Sequence, residues 1–127
     1  MKKFILLVED CDMMARFLAG SLQSDYQIAR TANPIEAILW LKTHPAPDAF
    51  VLDFEMPEMS GLEFVRHLKS KAETRDVPTI MLSGVKNVEN RWLCLDAGAN
   101  DFLAKPFHPK ELALRLKNLL NKQVPSS

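Results

Sequence analysis

The chain has 127 residues, 47% of them hydrophobic and 25% charged, with sixteen Lys and Arg balancing sixteen Asp and Glu. That length holds one domain with a substantial core but not two, and zero net charge excludes a global field drawing the chain to nucleic acid or an anionic membrane. No apolar run exceeds that of Phe4 to Val8, which is far below the roughly 20 residues that span a bilayer and runs straight into acids, unlike a signal peptide.

Elements alternate in period along the chain. "KFILLV" (3–8) is a near-continuous apolar run and predicts a strand covered on both faces. From Met13 to Leu22, the residues Met14, Phe17, Leu18 and Leu22 recur at helical spacing. "YQIART" (26–31) predicts a short strand. "NPIEAILWLKTH" (33–44) begins with an Asn cap and Pro at the first helical position, a helix start. "DAFVLD" (48–53) predicts a third strand, buried and ending in a carboxylate. Ser60 and Glu63 form a capping-box pattern before Leu62, Phe64, Val65 and Leu68. "VPTIMLS" (77–83) reads as a strand, and Val88 to Ala97 as a helix closed by Gly98. "DFLA" (101–104) is a short strand, and a last helix from Pro109 carries Leu112, Leu116, Leu119 and Leu120.

A β-α unit taken five times predicts an α/β fold, a parallel sheet with helices on both faces. Ligands of such sheets sit beyond the carboxyl ends of the strands. Those ends carry Glu9 and Asp10, then Asp53, then Ser83 with Gly84, then Lys105 with Pro106. Three carboxylates on one rim repel one another and call for a neutralising cation, for which Mg²⁺ with oxygen ligands is suited. A metal alone does not require the Lys and Ser. A phosphoryl group does, since an ammonium and a hydroxyl both bind its oxygens. Carboxylates also serve as phosphoryl acceptors, and an ionised one needs no neighbouring base.

The segments "ILLVEDCDMMARFL", "VLDFEMPEMSGLEF", "IMLSG" and "GANDFLAKPF" together resemble the receiver domain of two-component response regulators, of the chemotaxis-regulator type, over residues 3 to about 121. The resemblance implies a doubly wound, flavodoxin-like five-stranded sheet of order 2-1-3-4-5 with five helices. It implies Asp53 as phospho-acceptor, with Glu9, Asp10, Asp53 and the backbone carbonyl of Glu55 holding Mg²⁺ or Mn²⁺. It further implies that Ser83 and Lys105 bind phosphoryl oxygens, that Lys105-Pro106 is a cis peptide, and that Pro57 and Gly61 shape the loop after the acceptor. Phe102 matches an aromatic switch position that works with Ser83. Ser83 stands where that family often has Thr, Phe102 where Tyr is frequent, and Cys11 where an acid or amide is common. Cys11 and Cys94 have no metal or disulfide spacing and read as free thiols of a cytoplasmic protein, with packing a simpler role for Cys11 than redox chemistry.

The expected function is a switch rather than a turnover enzyme. It catalyses only its own phosphoryl transfer and dephosphorylation, receives the group from a histidine kinase or phosphotransfer His, and signals through the face of helix 4, strand 5 and helix 5 to an effector protein or domain. Homodimerisation on phosphorylation is a further expectation; direct nucleic-acid or membrane binding is not. Trp92 and Leu93 are adjacent, so at least one should be exposed on the fourth helix, and Leu39 and Trp40 pose the same question on the second. Residues 1–122 form the expected domain and 123–127 a tail or linker start. A haloacid-dehalogenase-like hydrolase would need Asp two residues after Asp53, where Glu55 stands. A nucleotide-binding domain would need a Gly-rich first turn in place of "EDCDMM", and a phosphate-independent binding module would have no need of the intact residue set.

Overall fold

Residues 2–56, 59–84 and 88–121 are described by the computed structural model. In chain order the elements are β1 (Lys3–Val8), α1 (Asp12–Leu22), β2 (Tyr26–Thr31), α2 (Pro34–Thr43), β3 (Ala49–Asp53), α3 (Gly61–Lys69), β4 (Thr79–Ser83), α4 (Val88–Ala97), β5 (Asp101–Ala104) and α5 (Pro109–Asn121). All strand pairs are parallel, in the order β2-β1-β3-β4-β5. Every strand therefore ends at the same edge, and the reversal between β1 and β3 opens the crevice there.

The strands lack simple in-out alternation because helices cover both faces. Ile5, Leu7, Val51, Ile80, Leu82 and Leu103 pack with Leu18 and Leu22 of α1 and with Leu112, Leu116 and Leu120 of α5. The opposite parity, including Leu6, Val8, Phe50, Leu52, Met81 and Phe102, packs against Ala37, Phe64, Val65, Leu68 and Cys94. β2, at the sheet edge, is only half-buried.

Local signals set the element ends. Asn33 accepts the Glu36 N–H at 2.9 Å and Pro34 opens α2. Ser60 and Glu63 exchange side chain-to-backbone bonds at 3.2 Å, completing the capping box of α3. Gly98 follows α4 with φ of 120°, a region that glycine enters without a Cβ penalty. β4 starts at Thr79, two residues later than expected, because Val77 N–H closes a turn onto Thr74 carbonyl and Pro78 has no N–H for the ladder.

One helix face differs from the periodic reading, and the adjacent apolar pairs on two other helices are resolved. Phe17 is exposed, since Ala15, Leu18 and Leu22 form the buried stripe of α1, and its ring lies 6.5 Å from that of Phe107. On α4 both Trp92 and Leu93 are exposed, and among the described side chains of that helix Cys94 is buried, with Ala97 partly so. Trp40 is partly buried and stacks on His44 at 4.1 Å, whereas Leu39 is exposed. Cys11 and Cys94 are free thiols, and burial pushes that of Cys94 up to about 11. The tail from 122 lies outside the described residues, as does Pro57.

Gly61 is where backbone must approach backbone. A Cβ there would lie 3.0 Å from the Asp53 carbonyl oxygen, 3.0 Å from Phe54 Cα and 2.9 Å from Met81 Sδ. Two of these atoms are main chain at the end of β3 and cannot yield cheaply. Gly61→Ala is expected to lower unfolding free energy by about 1–3 kcal/mol in urea denaturation.

Candidate functional site

The C-terminal edge of the sheet brings the acids of two neighbouring strands together. One carboxylate oxygen from each of Glu9, Asp10 and Asp53 lies within 4.8 Å of the others. Glu9 and Asp53 are buried and Asp10 is exposed, so the cluster has a closed floor and an open side. Glu9 leaves β1 with its N–H bonded to the Thr31 carbonyl at 3.1 Å, and its Oε2 accepts the Cys11 N–H at 3.2 Å. Its Oε1 is buried with no hydrogen-bond partner among the described residues.

Asp53 Oδ1 accepts two hydrogen bonds, from Lys105 Nζ and from Glu55 N–H, each at 3.2 Å. Lys105 comes from just beyond β5, two strands away, and precedes a cis peptide to Pro106. Ser83, the last residue of β4, is fully buried. Its hydroxyl donates to Glu55 Oε1 at 2.7 Å, and the Gly84 N–H donates to the same oxygen at 3.1 Å. Phe102 on β5 is 8% exposed and packs inward among Met81 and Cys94.

The electrostatics follow from crowding and burial. Desolvation first, and then the Asp53 charge, push Glu9 up to about 7. Asp53 is also raised, burial outweighing the opposing pull of Lys105. Burial works upward on Glu55 too, but the hydroxyl of Ser83 and other nearby donors outweigh it and hold this carboxyl below its usual range. One Lys does not neutralise three carboxylates. The unpartnered Glu9 oxygen beside two further carboxylate oxygens is the donor set that a hard divalent cation such as Mg²⁺ takes.

Every residue expected from sequence at the strand ends lies at this edge. The arrangement is more specific than the sequence reading in two respects. The Glu55 side chain, and not only its main chain, joins the site by engaging Ser83 and Gly84. Arg30, absent from the sequence reading, donates from Nε and Nη2 to the Glu9 carbonyl at 2.9 and 2.7 Å and from Nη1 to Asp12 Oδ1 at 2.7 Å. That guanidinium pins the loop carrying Glu9 and Asp10, and it pulls the exposed Asp12 carboxyl below its ordinary pKa. The signal available was an arginine one residue before the end of a strand whose neighbour ends in acids.

This fold and rim define a class: a doubly wound α/β domain with an acidic cleft, a hydroxyl and an ammonium at the carboxyl ends of its strands. The chain belongs to the response regulator receiver domain family, which it matches over residues 5–117. It is 36% identical over 126 residues to the phosphate regulon transcriptional regulatory protein PhoB of Escherichia coli, covering 98% of this chain and 55% of that protein. The chain thus spans about half the length of the PhoB relatives it matches. Among solved structures, it is similar to the signal receiver domain of a signal transduction histidine kinase from Syntrophus aciditrophicus, with TM-score 0.89 and 32% identity over 98% of this chain and 95% of that one. The receiver domain of a sensor histidine kinase from Pseudomonas aeruginosa, with a magnesium ion coordinated in its active-site cleft, superposes with TM-score 0.85 at 31% identity, covering 95% and 99% of the two chains. The chain is therefore a two-component receiver domain, a signalling module, and none of its described helices is long and apolar enough to cross a membrane.

The raised Glu9 carboxyl makes a stability prediction for the metal-free protein. A folded pKa near 7 against 4.5 unfolded means that the folded state binds more protons between those values, so stability falls as pH rises through that window. In EDTA at pH 8, Glu9→Gln is expected to be more stable than the parent by on the order of 1–3 kcal/mol, with the gap closing by pH 4. Denaturant titrations at the two pH values check it.

Proposed function

We propose that Asp53 is the phosphoryl acceptor of this receiver domain, and that the reaction depends on Mg²⁺ (or Mn²⁺) held by Glu9, Asp10, Asp53 and the Glu55 carbonyl. The observation that carries this reading is the convergence on Asp53 of Lys105 from one side and two further carboxylates from the other. A bound cation supplies charge neutralisation for the crowded acids and the incoming phosphoryl oxygens.

Lys105 and the Glu55 N–H hold Asp53 Oδ1, which leaves Oδ2 as the nucleophile. A bond forms from Oδ2 to phosphorus, and the phosphorus bond to the donor's histidine nitrogen, or to the acyl oxygen of a small donor, breaks with its electron pair leaving on the donor. The carboxylate is consumed as an anion, so Asp53 itself has no proton to lose. Lys105 and Ser83 then take up the new phosphoryl oxygens. Phosphoryl transfer asks for this positioning more than for acid-base groups. The hydrolase alternative is weakened by Glu55: its carboxyl is held ionised against Ser83 and Gly84 and is a poor general acid.

The domain, residues 1–122, is read as a cytoplasmic switch charged by a histidine kinase or a His-phosphotransfer protein. Movement of Ser83 and Lys105 toward the phosphate would shift the packing around Phe102, α4 and α5. The exposure of Trp92 and Leu93 supports the stretch 88–93 as the partner surface for an effector protein, an effector domain or a second copy. Such a shift is limited by the differential contacts of the phosphoryl group in the two packings.

Intact-mass spectrometry after incubation with Mg²⁺ and acetyl phosphate tests the assignment. The parent should gain one phosphoryl group, and Asp53→Asn or added EDTA should abolish the gain. An adduct that survives in Asp53→Asn places the acceptor elsewhere.

A further inference from the structure

Two adjacent donors at the end of β4 are already engaged by an anion that belongs to the chain itself. The fully buried Ser83 gives its single hydroxyl proton to Glu55 Oε1 at 2.7 Å. The next N–H along, that of Gly84, reaches the same oxygen at 3.1 Å and Oε2 at 3.5 Å. A hydroxyl and a main-chain N–H converging on one anionic oxygen make a seat of the kind that stabilises oxyanions. The contact joins residues 28 apart, from the β3-α3 loop to the end of β4, so it is no local turn bond. The same residue's N–H donates to Asp53 Oδ1 at 3.2 Å, so Glu55 ties the acceptor by its main chain and the seat by its side chain.

We propose that the Glu55 carboxylate is an internal stand-in for the phosphoryl group, occupying the Ser83–Gly84 seat at rest, and that its displacement sets how readily Asp53 is charged. This rests on the reading of Asp53 as acceptor. Ser83 has one proton to donate, so a phosphoryl oxygen and Glu55 cannot both take it. A receptor whose competent form is only a fraction of the population binds its ligand more weakly by that same fraction. The carboxylate therefore lowers the apparent affinity for any phosphoryl-like anion and, by bridging the two loops, favours the resting arrangement. Once expelled by a covalently attached phosphoryl group, it no longer bridges them.

Occupancy is separable from simple repulsion by charge-preserving shortening. Glu55→Asp keeps the charge but, one methylene shorter, does not reach the seat, whereas Glu55→Ala removes both charge and contact. The first readout is the Gly84 amide resonance in metal-free protein without any donor. It should shift in both variants relative to the parent, because its acceptor is gone. The second is titration with beryllofluoride in Mg²⁺, followed by Trp fluorescence. Both variants are expected to bind about 3- to 10-fold more tightly than the parent.

Parent-like affinity in Glu55→Asp with tightening only in Glu55→Ala would reduce the effect to field repulsion and overturn the proposal. So would unchanged or weakened binding in Glu55→Ala, or a Gly84 resonance indifferent to both substitutions. Failure of the underlying reading looks different: the parent fails to gain mass from acetyl phosphate. In that event, uptake of beryllofluoride by Glu55→Ala upholds the stand-in role, and absence of uptake overturns it.

Discussion

Three carboxylates with oxygens within 4.8 Å of one another at the edge of a packed core are the constraint on which this molecule turns. Burial denies Glu9 and Asp53 the water that would stabilise their charges, and each charge raises the cost of the next. A chain free to relax would separate them. They stay together because β1 and β3 are paired in parallel register from Ile5–Ala49 to Val8–Leu52, in a sheet packed on both faces. The stability of the two apolar layers thus holds together a locally unfavourable cluster of the kind a divalent cation relieves.

Around that centre, three charged groups act as clasps between loops. Arg30 reaches from the edge strand to the Glu9 carbonyl and Asp12; Lys105 spans from beyond β5 to Asp53; Glu55 links the loop after β3 to the end of β4. The Arg30–Asp12 pair is exposed and worth little by itself, but Arg30 also holds a main-chain carbonyl and Lys105 holds the buried Asp53. Together they tie the loops of the rim across the sheet edge, from β2 to beyond β5. On α4, Cys94 is buried and Ala97 partly so, while Trp92 and Leu93 face outward.

Much of this was legible in one dimension. The parallel α/β class followed from apolar runs alternating with capped helical stretches, and Asn33-Pro34 and Ser60-Glu63 marked helix starts because caps act over three residues. Glu9, Asp10, Asp53, Ser83 and Lys105 stood out because strand ends converge wherever the strands are parallel. Chain-local chemistry carried those inferences. The helix faces were less legible. Phe17 has helical spacing with Leu18 and Leu22, yet Ala15 lies under the helix and the larger ring sits outside against Phe107.

What the sequence determined by itself is the set of elements, their order along the chain and the identity of the residues at the strand ends, because propensity, capping and burial period are written within a few residues of one another. Only the tertiary structure decided who touches whom across the rim: that Arg30 serves the Glu9 carbonyl, that Glu9 keeps an oxygen without a partner, and that the Glu55 carboxylate lies on Ser83 and Gly84. These contacts join residues 21 or more apart through side chains several bonds long. Sheet register and loop path, not local pattern, set such distances.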